Sequence, residues 1–352
     1  MATSDATIKL LYQVFSQRFK VSELQQGIDR PVKLALLGRP EPTAQLREVL
    51  LTGSPRVESI EKIVVCLDVA SDWTLRLADM NAVIVVVDEA GVQASLFDQV
   101  RQRLPKDLPH LVLCHGPFRH SVRLEAREIQ TEMGLRPFYF VGDLTVDDIR
   151  PVLSTWAGEL EPVALPLGRR LVFWRKGVAR HFITKVSRQN FAIALASAIP
   201  STIPIIGFLA STLAAAGEMV VMTANQLKLC LQIAGMYGLE INFWERMQEL
   251  LPVVGSGIGF RQLSRTAVGL IPVAGPAIKA TVAYSGTWAV GESARWFYES
   301  GRKLSAHEYR QILSRARREA LAQAKQSVRR IGRKRPSQPP PTPHDDVDGD
   351  KT

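Results

Sequence analysis

The stretch Val32-Lys33-Leu34-Ala35-Leu36-Leu37-Gly38-Arg39-Pro40-Glu41-Pro42-Thr43-Ala44-Gln45-Leu46 decides how this chain is read. The near-continuous apolar run from Val32 to Leu37 predicts a parallel strand buried on both faces. Gly38 begins a turn, and Gln45 to Leu51 reads as the helix that follows. Strand, tight turn and helix make the layout of a phosphate-binding loop. Laid on the pattern G-x-x-x-x-G-K-[ST], Gly38 fits the first glycine, while Thr43, Ala44 and Gln45 stand where the second glycine, the lysine and the hydroxyl residue belong. The lysine of such a loop offsets phosphate charge and the hydroxyl ligates magnesium. Ala44 and Gln45 can do neither, and Pro40 and Pro42 remove two N–H donors from the loop.

Working outward, Lys62 to Leu67 reads as a second strand that runs into Asp68-Val69-Ala70-Ser71. Ala82 to Val87 is a third, ending in Asp88-Glu89, and His110 to Cys114 and Pro137 to Val141 complete the set. Helical spacing recurs between strands over Ser95 to Leu104 and Val122 to Met133. Thr145 reads as the N-cap of a closing helix, Val146 to Leu160, with Asp147 and Asp148 in its first turn. This alternation predicts an α/β domain over residues 31–160, a parallel sheet with helices on both faces.

The order and spacing resemble small P-loop GTPases of the Era/EngA type, whose loop commonly begins Gly-Arg-Pro, as Gly38-Arg39-Pro40 does here. The resemblance implies a P-loop-type sheet and places three motifs. At the switch motif Asp-x-x-Gly, Asp68 is kept and Ser71 replaces the glycine. Where Asn-Lys-x-Asp would read a guanine base, the chain has Cys114-His115-Gly116-Pro117-Phe118. Departure at all three implies a pseudo-GTPase, with no catalytic residues, no bound cofactor and no metal. Gly38, Thr43, Ala44 and Gln45 are then a degenerate loop, and Asp68 and Ser71 a degenerate switch. The other reading is an atypical GTPase that takes GTP and magnesium on non-standard residues.

Further polar groups add no chemistry of their own. His110, His115 and His120 are not spaced to put three ligands on one face, and Asp88 and Glu89 read as an acidic strand terminus. Cys66, Cys114 and Cys230 form no Cys-x-x-Cys or Cys/His cluster, which fits a reducing compartment.

Outside the sheet, residues 1–30 read as an N-terminal docking helix with Ile8, Leu11, Val14 and Phe15 on one side. Residues 161–188 read as a basic linker carrying Pro162, Pro166 and the block Arg169, Arg170, Arg175, Lys176, Arg180, Lys185 and Arg188. The composition then changes abruptly. Gln189 to Gly217 holds no charged residue, yet Pro200, Pro204 and Gly207 interrupt it, which predicts a helical hairpin rather than one straight membrane span. Ile203-Pro204-Ile205-Ile206-Gly207, Leu251-Pro252-Val253-Val254-Gly255 and Ile271-Pro272-Val273-Ala274-Gly275 repeat one apolar-Pro-apolar-apolar-Gly corner. Residues 189–301 therefore read as an apolar helical domain. Met236-Tyr237-Gly238-Leu239, the Ile271 to Gly275 corner and Thr287-Trp288-Ala289-Val290-Gly291 resemble the C-terminal helical domain of YcjF-like bacterial proteins, of uncharacterised function. That domain is often found at the inner membrane, behind an Era-like domain. Residues 302–335 predict a basic amphipathic helix opened by a Ser305/Glu308 capping box, and residues 336–352 a disordered tail.

The chain has 352 residues, 46% of them hydrophobic, enough for two or three domains and too many for a disordered chain. Its net charge of +10 is localised: Arg295 to Arg335 holds thirteen Lys or Arg against Glu299, Glu308 and Glu319. Such charge attracts polyanions. Beside an apolar bundle it favours anionic lipid over nucleic acid, for which aromatic residues after Tyr309 are lacking. The expected protein is a membrane-associated binding or scaffold protein at the cytoplasmic face of the inner membrane, with an unknown protein partner.

Overall fold

A computed structural model describes residues 2–55, 57–88, 99–100, 102–116, 138–161, 163–197, 218–255 and 276–333. Five parallel strands make one sheet: β1 (Leu34–Gly38), β2 (Val64–Asp68), β3 (Ala82–Val87), β4 (His110–His115) and β5 (Phe138–Val141). Their order is β2-β1-β3-β4-β5, with Gly38 level with Asp68, and Leu34 level with both Val64 and Ala82. The interior runs Leu34–Gly38 and Ala82–Val87 are buried at every position, as continuous apolar strands between two covered faces must be. Because side chains alternate, each strand divides its residues between two cores. Leu34, Leu36, Ile84, Val86, Leu111 and Leu113 face one, and Ala35, Leu37, Val83, Val85, Val112 and Cys114 face the other, which Trp73, Leu77, Val100 and Leu104 close.

The first core does not stop at the sheet. It continues without a break through helices α1 (Ala2–Ser16), α2 (Val21–Asp29), α3 (Pro40–Leu50), α6 (Val146–Trp156), α7 (Ala164–Arg170) and α8 (Val172–Ser197), and on into α9 (Glu218–Met236), α10 (Phe243–Gly255) and α11 (Pro276–Ser300). Short helices α4 (Glu58–Glu61) and α5 (Thr74–Leu77) lie between strands, and α12 (Ala306–Arg333) packs on α11. On α1, Ile8, Leu11 and Phe15 are buried, and Phe15 and Tyr12 meet Phe243 at ring separations of 5.2 Å. The N-terminal segment is two helices rather than one.

Two expectations change. The segment expected as a linker, residues 161–188, is helical almost throughout, as α7 and most of α8. Trp174, Val178, Phe182 and Val186 recur every fourth residue on α8 and are all buried, so the helix has a full core-facing stripe. Trp174 stacks on Trp156 of α6 at 5.8 Å and donates its Nε1–H to the Leu153 carbonyl at 2.8 Å, joining the last helix of the sheet region to the bundle. Gly177 lies so close to Ser154 that any Cβ would collide with it.

The helix expected from Gln45 begins instead at Pro40, with only Arg39 between it and β1. Proline suits the first turn of a helix, where an N–H has no partner and φ is already set. Two prolines there start the helix early and remove the loop.

In the helical half, Ala280 and Tyr284 of α11 pack with Phe191, Ala316 and Ala320. The corner Leu251 to Gly255 forms the last turn and more of α10; the corners at 203–207 and 271–275, the uncharged run beyond Ser197, the helix over 122–133 and the tail at 336–352 lie outside the described residues. Among the described residues no helix is long and apolar enough to cross a membrane. The local signals at helix starts hold: Asp148 N–H bonds the Thr145 hydroxyl at 3.3 Å, and Ser305 and Glu308 bond each other's backbone N–H at 3.2 and 2.8 Å.

Candidate functional site

In an open parallel sheet, ligands bind beyond the carboxyl ends of the strands where the order reverses, here between β1 and β3. Gly38, Arg39, Asp68 and Asp88 come together at this point, with His115 and Asp143 at the ends of β4 and β5. Gly38 is buried against β3, and an added Cβ would lie 2.5 Å from the Val86 carbonyl oxygen. That close approach of two strands accounts for the glycine without any phosphate. Arg39 forms an ion pair with Asp88, so this cation at the mouth of β1 is tied across the switch point to the end of β3.

The helix that follows is a poor anion site. Helix N-termini bind phosphate through unpaired N–H groups. In α3 the first and third positions are Pro40 and Pro42, leaving only Glu41 to offer an N–H, beside its own carboxylate. Thr43, which is 1% exposed, turns its hydroxyl back to the Arg39 and Pro40 carbonyls at 2.8 and 3.0 Å. Ala44 and Gln45 lie on the exposed side of the helix. The positions expected to hold lysine and hydroxyl are therefore on the solvent-exposed side of α3.

At β2, Asp68 is committed to its own turn. Its Oδ1 accepts from the Ala70 N–H at 2.9 Å, and its carbonyl accepts from the Ser71 hydroxyl at 2.7 Å. The Val69 N–H donates to the Gly38 carbonyl at 3.0 Å, locking the two strand ends. Ser71 is thus a turn residue. Glu89, His120 and the segment from Pro117 to Phe118 lie outside the described residues.

His115 and His110 occupy opposite ends of β4 and cannot act together. Burial first, and then the charge of Arg39, push the His115 imidazole below its usual range, against a smaller opposing pull from Asp143. Its Nε2 is buried without a hydrogen-bond partner among the described residues. Burial raises the Cys66 and Cys114 thiols, and holds Cys230 at about 12, so all three favour the protonated form, a poor nucleophile. Among the described residues no three His, Cys, Asp or Glu side chains gather as a metal set.

The basic blocks divide into two kinds, which charge counting alone does not separate. Arg169 donates to the Gly235 carbonyl at 2.7 Å and pairs with Asp29 at 3.3 Å; Arg170 donates to the Asp29 carbonyl at 2.9 Å; Arg175 donates to the Gly168 carbonyl at 3.2 Å and lies over the Tyr237 ring. Arg169 and Arg170 fasten α7 to α2 and α9, Arg175 ties α8 to α7, and all three are structural. Arg295, 4% exposed, is held between Glu292 and Glu299. On α12, by contrast, Leu313, Ala316 and Ala320 are buried while Arg310, Arg315, Arg317 and Arg318 are exposed, which leaves a basic outer side.

The chain matches no protein-family model and no curated protein.

Proposed function

We propose that this chain is a non-enzymatic binding platform, a pseudo-GTPase whose sheet keeps a P-loop-type architecture without the means to hold a nucleotide. The observation that carries the reading is the start of α3 at Pro40. A phosphate needs a loop between strand and helix, several N–H donors and a neighbouring cation. Here the helix takes up the loop, two of its first three positions are prolines, and Arg39 is engaged with Asp88. The exposed arginines of α12 supply a basic face of the kind that rests on anionic lipid, which supports association with the cytoplasmic face of the inner membrane.

Titration of the full chain with GTP and magnesium tests the platform. No saturable binding is expected up to millimolar GTP, and micromolar affinity would overturn the reading in favour of an atypical GTPase. Flotation with vesicles containing phosphatidylglycerol tests the surface: the chain is expected to float at low salt and to be released as salt screens the attraction. Failure to float at low salt defeats the membrane part alone.

A further inference from the structure

Between α8 and α9, beside the turn that joins α1 to α2, lies a cleft of about 420 Å³, within the range of small-molecule sites, about 300–1,000 Å³. Its walls are chiefly apolar, built from Phe182, Val186 and Ile193 of α8 and from Phe19. Three cations, Arg18, Lys185 and Lys228, stand in the same lining. Lys185 is answered by Glu161, which also meets His181 at 3.0 Å. Lys228 is not answered. It is half-buried, its ammonium lies 4.6 Å from the centre of the Phe19 ring, and among the described residues it has no ion-pair partner. Arg18 likewise sits over Phe19, at 5.9 Å, with no carboxylate among the described residues.

A half-buried ammonium without a counter-charge is costly, and a cation–π contact offsets only part of that cost. Burial and the charges of Lys185 and Arg18 all push the Lys228 ammonium below its usual range, with only Glu161 acting the other way. The cleft thus carries an excess of positive potential over an apolar floor.

We infer that this cleft binds a single-chain amphiphilic anion, a medium-chain carboxylate with its alkyl tail along Phe182, Val186 and Ile193 and its head between Lys228 and Arg18. A neutral apolar ligand would leave the ammonium unpaired. A nucleotide or free phosphate would leave the apolar walls uncovered, and the site stands apart from the strand ends where a nucleotide would sit. The inference is independent of the membrane reading, because it concerns a concave site filled by one molecule and not a charged outer face.

Calorimetric titration of the full chain with dodecanoate, kept below its micelle concentration, tests it. One molecule is expected per chain, with dodecylamine at least about tenfold weaker because the head charge is reversed. Lys228→Met should weaken dodecanoate about tenfold, the scale of one charge-assisted hydrogen bond, while Lys228→Arg keeps most of the affinity. Ile193→Trp should fill the tail end and remove binding while circular dichroism stays unchanged. Equal affinity for dodecanoate and dodecylamine overturns the proposal. So does dodecanoate binding that neither Lys228→Met nor Ile193→Trp alters, or no binding by a wild-type chain shown to be folded.

Discussion

A methyl group at position 38 would stand 2.5 Å from the Val86 carbonyl oxygen and 3.1 Å from Thr43 Cγ2, in a strand buried at every residue. Backbone cannot yield there as a flexible side chain would. Gly38→Ala should therefore destabilise the fold by about 1–3 kcal/mol, as overpacking in a dense core does, measured by urea unfolding. Thr43→Val should cost about 1 kcal/mol, since it removes the hydroxyl that caps the Arg39 and Pro40 carbonyls. Both residues occupy positions of a nucleotide-loop pattern, yet their work is packing. That distinction was not legible in the chain alone, because a glycine kept for close strand approach and one kept for phosphate look the same in sequence. Arg169 and Arg170 pose the same difficulty: their acceptors, on Gly235 and Asp29, are remote in sequence, so the pair reads as surface charge until the fold is known.

Helices and strands were more legible where the governing interactions are local. Buried strands announce themselves as apolar runs, and Thr145 and the Ser305/Glu308 pair announce helix starts because cap and partner lie three residues apart. The start of α3 is hard to see in the sequence because Gly38-Arg39-Pro40 fits the opening of a phosphate loop as well as it fits the preference of proline for a first helical turn. The segment 161–188 presents a similar ambiguity: its prolines and cations suggest a linker, while the signal for a helix is the apolar residue at every fourth position from Trp174 to Val186. A direct test follows from α3. Restoring the pattern by Thr43→Gly, Ala44→Lys and Gln45→Ser should not create magnesium-dependent GTP binding, because the added groups would stand on a helix flank and not in a loop; measurable binding by calorimetry would contradict the account of Pro40. At the start of α12, Arg302 and then the Ser305 backbone hold the Glu308 carboxyl at about 2, against 4.5 ordinarily. A carboxyl depressed by folding stabilises above its unfolded pKa and loses that contribution as pH falls through its folded value. The attachment of α12 should therefore weaken as pH falls from about 4.5 toward 2, seen as a fall in melting temperature that Glu308→Gln makes shallower.

At the scale of the molecule, one apolar core runs from the sheet through α6 and α8 into the bundle, and the Trp156–Trp174 stack sits inside it. Sheet and bundle should thus lose structure together: far-ultraviolet circular dichroism and tryptophan fluorescence are expected to give coincident denaturation curves over the described fold. Two separated transitions would show that the shared core does not couple the halves. Trp174→Phe, which leaves the Leu153 carbonyl with only the Ala157 N–H as donor, should shift that common midpoint without splitting it. The packing of the first helices carries a further consequence for how the chain is made. The Gln25 side chain accepts from the Ile241 N–H across 216 residues, and Tyr12 and Phe15 rest on Phe243. Ile8, Leu11 and Phe15 are therefore synthesised well before Phe243, the residue that Phe15 packs against. Until α10 has been made, the nascent chain displays α1 with part of its apolar side uncovered, a natural client for a chaperone.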